Sequence, residues 1–313
     1  MKIIYMGTPA FAVPSLEALA KSQHQVLAVC TQPDRPAGRG HKLTPSPVKI
    51  KALEYGFPVL QPETLRINAS KEVRTTLKEY DADIFVVAAY GIILPKGVLN
   101  MAPHGCINVH GSILPKYRGA SPIHAALLNG ETSTGITIIH MDAGIDTGDM
   151  IVKKELEISP DERFPTLHDR MATLGAEALL EALTLLERGT APRIPQDDTL
   201  SNYAPMLQKS DALINWEWDT ARIINMTRAF DPWPGSYTVY ENNPMKIWRA
   251  EPFNEVDNNA RPGTILAVDT AKGILIKTGD SALWVTELQN DGSKRMPATD
   301  YLRGRKIDVG VVL

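Results

Sequence analysis

Between Asp83 and Tyr90 the sequence reads DIFVVAAY, an almost unbroken apolar run. A strand with one wet face alternates apolar and polar residues. A strand this apolar throughout needs cover on both faces, as in the centre of a parallel sheet. Strand and helix signals alternate on either side of it. Ile3–Met6, Gln25–Cys30, Gly105–His110, Thr134–Met141 and Met150–Ile158 read as strands. Helical patterns run over Phe11–Ser22, Pro47–Tyr55, a short stretch opened by Ser121-Pro122 and closed by Gly130, and about Thr166–Arg188. The Pro47 helix carries its own punctuation: Ser46 as N-cap, Pro47 at the first position and Gly56 just beyond the end. Such alternation predicts an α/β domain over residues 1–190, a Rossmann-like parallel or mixed sheet covered on both faces.

The pattern changes after Gly189. Residues 191–208, with Pro192, Pro195 and Pro205, read as a linker. From residue 209 to 313 one helix (about Thr220–Phe230) precedes the short strand runs SYTVY, MKIWRA, GTILAV, GILIKT and ALWVTEL, which predict a small β-barrel or sandwich. The net charge of −3 excludes a general polyanion binder, so any nucleic-acid contact must come from a local patch. In the second domain Lys246, Arg249, Lys272 and Lys277 are the candidate cluster. Cys30 and Cys106, the only two cysteines, sit in apolar strand runs and read as reduced core residues. No apolar run approaches the roughly 18 residues of a membrane span, and no secretory leader is visible, so a cytoplasmic protein is expected.

Three stretches could carry chemistry. The turn after the first strand, Gly7-Thr8-Pro9, lacks the G-x-G-x-x-G pattern of a dinucleotide site. The second stretch is INVHGSILPKYRGASPI, Ile107–Ile123. Asn108 and His110 lie two apart at the end of a buried strand and therefore point the same way. An amide can hold a developing oxyanion and an imidazole can move a proton near neutral pH, although the same pair could simply satisfy buried backbone. After the next strand, DAGIDTGDM places Asp142, Asp146 and Asp149 among glycines, where a carboxylate could orient His110. The rival, a metal site drawn from His110, His124, His140 and Asp142, fits no compact ligand spacing. The third stretch is the loop Gln32–Lys51. From Asp34 it holds Arg35, Arg39, Lys42, Lys49 and Lys51 against Asp34, net +4, and its prolines and glycines suggest no ladder or helix of its own. A basic loop of this kind suits contact with a phosphate backbone.

Taken together, QPDRPAGRGHKLTPSPVK, AAYGIILP, INVHGSILPKYRGASPI, DAGIDTGDM and AFDPWPGSY resemble the methionyl-tRNA formyltransferases, from Met1 to about Leu302. N-x-H-x-S-x-L-P with the later Asp is shared by the folate-dependent formyltransferases. The Pro-Asp-Arg-Pro loop and the two-domain length narrow the resemblance to the tRNA enzymes. The resemblance implies a small OB-like C-terminal domain that binds tRNA, and formyl transfer from 10-formyltetrahydrofolate to initiator Met-tRNA without a catalytic metal. It implies catalytic roles for Asn108, His110 and Asp146, folate contacts along Ser112, Ile113, Leu114 and Pro115 with Ala88–Ile93 opposite, and tRNA contacts at Arg35, Arg39 and Lys42. A monomer with no obligate protein partner and no membrane association is expected. The alternatives are a formyltransferase acting on a sugar-nucleotide amine, which should lack the basic loop, and a non-catalytic RNA-binding protein on the same scaffold.

Overall fold

The computed structural model describes residues 1–37, 42–66, 70–254 and 259–313. Two compact units emerge. The first comprises Met1–Pro122, Ser133–Glu157 and His168–Ala204. The second comprises Ile123–Thr132, Ile158–Leu167 and Pro205–Leu313.

The chain of the first unit begins with β1 (Lys2–Gly7), α1 (Val13–Ala20), β2 (Gln25–Cys30), β3 (Arg35–Ala37), β4 (Lys42–Thr44), α2 (Pro47–Glu54) and β5 (Val59–Leu60). It continues through α3 (Lys71–Glu79), β6 (Ile84–Ala88), α4 (Lys96–Leu99), β7 (Cys106–His110) and β8 (Arg118–Gly119). After α5 (Pro122–Leu128), which belongs to the second unit from Ile123 on, come β9 (Ser133–His140), β10 (Met150–Glu157), α6 (Phe164–Glu187), which enters the first unit at His168, and β11 (Tyr203–Ala204). Seven strands form one sheet in the order β10-β9-β7-β6-β1-β2-β5. The pairs from β7 to β5 are parallel; β9 runs antiparallel to both β7 and β10. This is the mixed, doubly covered sheet that the apolar strands require. β6 is buried along its whole length, and Ile3, Ile4, Tyr5 and Phe85 are fully enclosed, each such side chain contributing about 1.5–3 kcal/mol of apolar burial.

α6 lies against one face through Gly175. A methyl group there would fall 2.9 Å from Val109 Cγ1, so only a glycine permits this approach. Val109 therefore points to the α6 face, and its neighbours Asn108 and His110 point to the other. The cap of α2 forms as the sequence requires, with Ser46 Oγ accepting from the Lys49 N–H at 3.0 Å. The basic loop departs from expectation. Arg35–Ala37 and Lys42–Thr44 pair as a short antiparallel ladder, so the loop does have regular structure of its own.

In the second unit, α7 (Thr220–Ala229) precedes β12 (Tyr237–Tyr240), β13 (Asn243–Phe253), β14 (Ile265–Asp269), β15 (Gly273–Lys277), β16 (Ala282–Asn290), β17 (Met296–Pro297) and α8 (Ala298–Gly304). The antiparallel sheet runs β12-β13-β16-β15-β14, with β17 also on β16. Asp231 of the AFDPWPGSY stretch is buried between two arginines, Arg163 at 2.9 Å and Arg295 at 3.0 Å. Arg163 also donates to the carbonyls of Thr227 and Trp248. That motif thus ties the unit together. Of the suggested basic cluster, Lys277 is buried and donates to the Ser281 carbonyl at 3.1 Å, which removes it from any phosphate-binding surface.

Candidate active site

Asn108 and His110 end β7 on the face away from α6. Register alone would not bring a carboxylate to them. The loop after β9 leaves beside the start of β7, where the Met141 N–H donates to the Cys106 carbonyl, and returns at Met150 opposite Ile139. To reach His110 it must fold back over the sheet face. Two backbone features allow this. Asp146 takes a left-handed conformation, φ 54°, which Asp tolerates better than most residues. Gly148 passes so close to His140 that a methyl group would lie 1.7 Å from its carbonyl oxygen.

The folded loop completes a small polar cluster. Asn108 Nδ2 donates to Asp146 Oδ1 at 3.3 Å. Asp146 Oδ2 accepts from the Gly119 N–H at 2.9 Å and lies 3.5 Å from His110 Nδ1. His110 Nε2 faces the Tyr117 carbonyl at 2.9 Å. His110 is 4% exposed, so both ring nitrogens look at oxygen inside the protein. A neutral imidazole donates through only one of them. Left-handed backbone at Ala89 (φ 45°) and Tyr117 (φ 60°), both non-glycine, accompanies that at Asp146; such strain persists where surroundings hold it and gathers at working sites.

The segment that reads as a linker is a strap on this site. Its Ile194 bridges Met150, and β11 pairs with β8. Gln196 Nε2 donates to the carbonyls of Asp146 (2.7 Å) and Gly148 (2.8 Å), while its Oε1 accepts from Arg118 Nε and Nη2. Asn202 Oδ1 accepts from the Tyr117 N–H. None of these partners is legible in the sequence, because each pairs residues some 50–85 positions apart.

The remaining expected residues are placed as follows. Ser112 and Leu114 have no exposed surface. The Ser112 hydroxyl donates to the Lys116 carbonyl at 2.6 Å, and Leu114 packs with Ile139 and Met150. Ile113 and Pro115 are half-buried. Opposite them in sequence order, Ala89 and Gly91 are exposed and Ile93 is 78% exposed. In the basic loop Arg35 is exposed, Lys42 lies in β4, and Arg39 falls outside the described residues. Lys49 is taken up by Asp34 at 2.7 Å and Lys51 by Glu17 and Glu54. Burial pushes both thiols, Cys30 and Cys106, up to about 12, which makes them poor nucleophiles. Of the rival metal set, His124 stacks on Phe164 and Asp142 accepts from Gly144 and Thr147 of its own loop. Among the described residues no three His, Cys, Asp or Glu side chains converge. No described helix is long and apolar enough to cross a membrane.

The fold and cluster define a class: an open α/β sheet carrying an amide, an imidazole and a carboxylate in one cluster, groups whose chemistry can move a proton. The formyl transferase family matches residues 1–183, and the formyl transferase C-terminal domain matches residues 206–306. The chain belongs to the formyl transferase family. It is 47% identical over 313 residues to the methionyl-tRNA formyltransferase of Desulforamulus reducens, covering 100% of this chain and 98% of that one. It is 49% identical to the methionyl-tRNA formyltransferase of Ruminiclostridium cellulolyticum, covering 99% and 98%. In fold it resembles an N-formyltransferase from Helicobacter canadensis solved with folinic acid and dTDP-3-aminofucose. That match has a TM-score of 0.66 and 20% identity, over 95% of this chain and 100% of that one. It also resembles HypX from Aquifex aeolicus (TM-score 0.62, 19% identity), over 98% of this chain and 49% of HypX, so the chain spans about half of that protein.

Proposed function

We propose that this chain transfers the formyl group of 10-formyltetrahydrofolate to the α-amino group of methionine on initiator tRNA. The observation that carries the reading is the Asn108–His110–Asp146 cluster, present in a chain 47–49% identical over its length to methionyl-tRNA formyltransferases. The amine nitrogen bonds to the formyl carbon, the bond from that carbon to the folate nitrogen breaks, and one proton passes from the amine to the folate nitrogen. Asn108 Nδ2 gives one hydrogen to Asp146, and its second is available to the formyl oxygen as negative charge develops there. His110 carries the proton, exchanging one of its present oxygen contacts for the substrate. Asp146 supports the ring's charge; its 3.5 Å separation from Nδ1 is of the kind that tightens on substrate binding. A neutral amine is already a competent nucleophile, so neither a covalent enzyme intermediate nor a catalytic metal is needed.

The folate donor meets the 112–115 segment through its backbone and the flanks of Ile113 and Pro115, since the Ser112 and Leu114 side chains face inward. The exposed Ala89, Gly91 and Ile93 supply an apolar surface suited to a flat ring. Arg35, Arg39 and Lys42 meet the tRNA; Lys49 and Lys51 are already paired with carboxylates, and Arg35 is exposed and suited to phosphate. On this reading the chain works in the cytoplasm as a monomer, and no membrane or obligate protein partner enters the reaction. The test is to incubate the purified chain with 10-formyltetrahydrofolate and charged initiator tRNA, with a dTDP-amino sugar in a parallel reaction. Accumulation of formyl-methionyl-tRNA supports the reading; formylation of the sugar alone overturns it.

A further inference from the structure

At the other end of β7, where Gly105 and Cys106 enter the strand, the first unit holds a cavity of about 540 Å³ that the formyl-transfer cluster does not use. That is ample for a small ligand. Its polar lining is Asn100, His104, His140 and Arg193, and its apolar lining includes Leu99, Met141 and Leu186. His140, at the end of β9, is 8% exposed, and no described donor or acceptor reaches its Nε2. Buried polar atoms in folded proteins are nearly always bonded, so an unbonded ring nitrogen beside a cavity points to a ligand.

The charges around the ring give the ligand's sign. Arg193, 64% exposed at the cavity's mouth, faces Asp149 at 3.6 Å, too long for a charge-assisted hydrogen bond, so its guanidinium is open to an incoming anion. Burial pushes the His140 imidazole below its ordinary range. Of the surrounding charges Arg193 acts most strongly in the same direction, His104 adds to it, and Asp149 opposes it. The Arg193 cation thus acts on the ring more strongly than the Asp149 carboxylate. We propose that this cavity binds a phosphate-class oxyanion, free phosphate or a phosphomonoester, held by the Arg193 guanidinium and His140 Nε2–H. The neighbouring contacts make the site more than a passive pocket. The His140 N–H donates to the Asp149 carbonyl at 2.8 Å, and Arg193 precedes by three residues the Gln196 that clamps Asp146.

The experiment titrates the full-length protein with inorganic phosphate and, separately, with AMP, by calorimetry at constant ionic strength. The His140 ring proton is followed by NMR, and sodium chloride serves as control. A saturable signal with a shifted His140 resonance is expected. Arg193→Ala should weaken binding about tenfold or more, the loss expected for one charged hydrogen bond. His140→Gln, which keeps a donor but not the ring, should weaken it less. Binding of phosphate alone identifies free phosphate as the ligand; AMP binding at least as tightly identifies a phosphomonoester. Absence of saturable binding, or binding equal in wild type and both variants, overturns the proposal, with circular dichroism confirming that each variant is folded.

Discussion

Two buried histidines on neighbouring strands differ in a way that separates the two ends of this sheet. His110 is 4% exposed and has oxygen within reach of both ring nitrogens; His140 is 8% exposed and has an Nε2 with no described partner. Around His110 the loops are clamped from several directions, by Gln196, Asn202 and the Gly119 N–H. Around His140 a cavity opens instead. A network whose members are all bonded fixes one geometry, which proton transfer requires.

The largest expected effect is at the bonded end. His110→Ala should cost about 10²–10⁴-fold in kcat if the ring is the proton carrier, with the fold retained by circular dichroism. Near-wild-type turnover would dissolve the contrast between the two histidines. Asp146→Asn should fall in the same range and combine with His110→Ala non-additively, because groups acting as a unit do not lose independently. Additive losses would place Asp146 outside the proton-transfer machinery. Next comes the clamp. Gln196→Ala leaves the Asp146 and Gly148 carbonyls without their shared donor, and kcat should drop about tenfold, the lower end for residues that orient catalytic groups. The KM values should change less, and a shift confined to tRNA KM would make Gln196 part of the tRNA surface instead.

Smaller effects follow away from the cluster. A triple Arg35/Arg39/Lys42→Ala variant should raise tRNA KM and reduce its salt slope by roughly one unit per lost phosphate contact. Folate affinity should stay constant. Equal loss of folate affinity would mean that the β3–β4 ladder supports the catalytic unit itself. The mildest effect concerns His140. Its folded pKa lies below the unfolded value near 6.5, chiefly through burial and then through Arg193. Between those two values the unfolded chain binds the extra proton, so stability rises with pH in that window and is lost as pH falls below about 6.5. Thermal melts of His140→Gln in phosphate-free buffer should show a flatter acid limb than wild type. An identical limb would mean that other groups set it, His24 being the next candidate, since burial lowers it as well.

Much of this was legible from local signals. The all-apolar Asp83–Tyr90 run announced a doubly covered strand, and β6 is its buried core. Ser46, Pro47 and Gly56 marked the ends of α2, and Gly56 takes the left-handed conformation, φ 71°, that such a stop requires. The two-residue spacing of Asn108 and His110 put them on one face. Harder to read were α3 and α4, where the few apolar positions of KEVRTTLKE and KGVL give a weak periodic signal. Residues 191–208, rich in proline and polar groups, gave the signature of a linker. They are a strap because Gln196 and Asn202 find acceptors and donors that lie distant in the chain.

The sequence by itself determined the longer strands and helices, their order along the chain, and the chemical types at the site, because periodicity, capping and side-chain chemistry act over a few residues. The tertiary structure decided which of the loop aspartates meets His110, and that depends on where the chain crosses the sheet face. It turned Ser112 and Leu114 inward, paired Lys49 and Lys51 with carboxylates, buried Lys277, and left His140 beside a cavity. Each of these follows from contacts between residues far apart in the chain, which local pattern cannot carry.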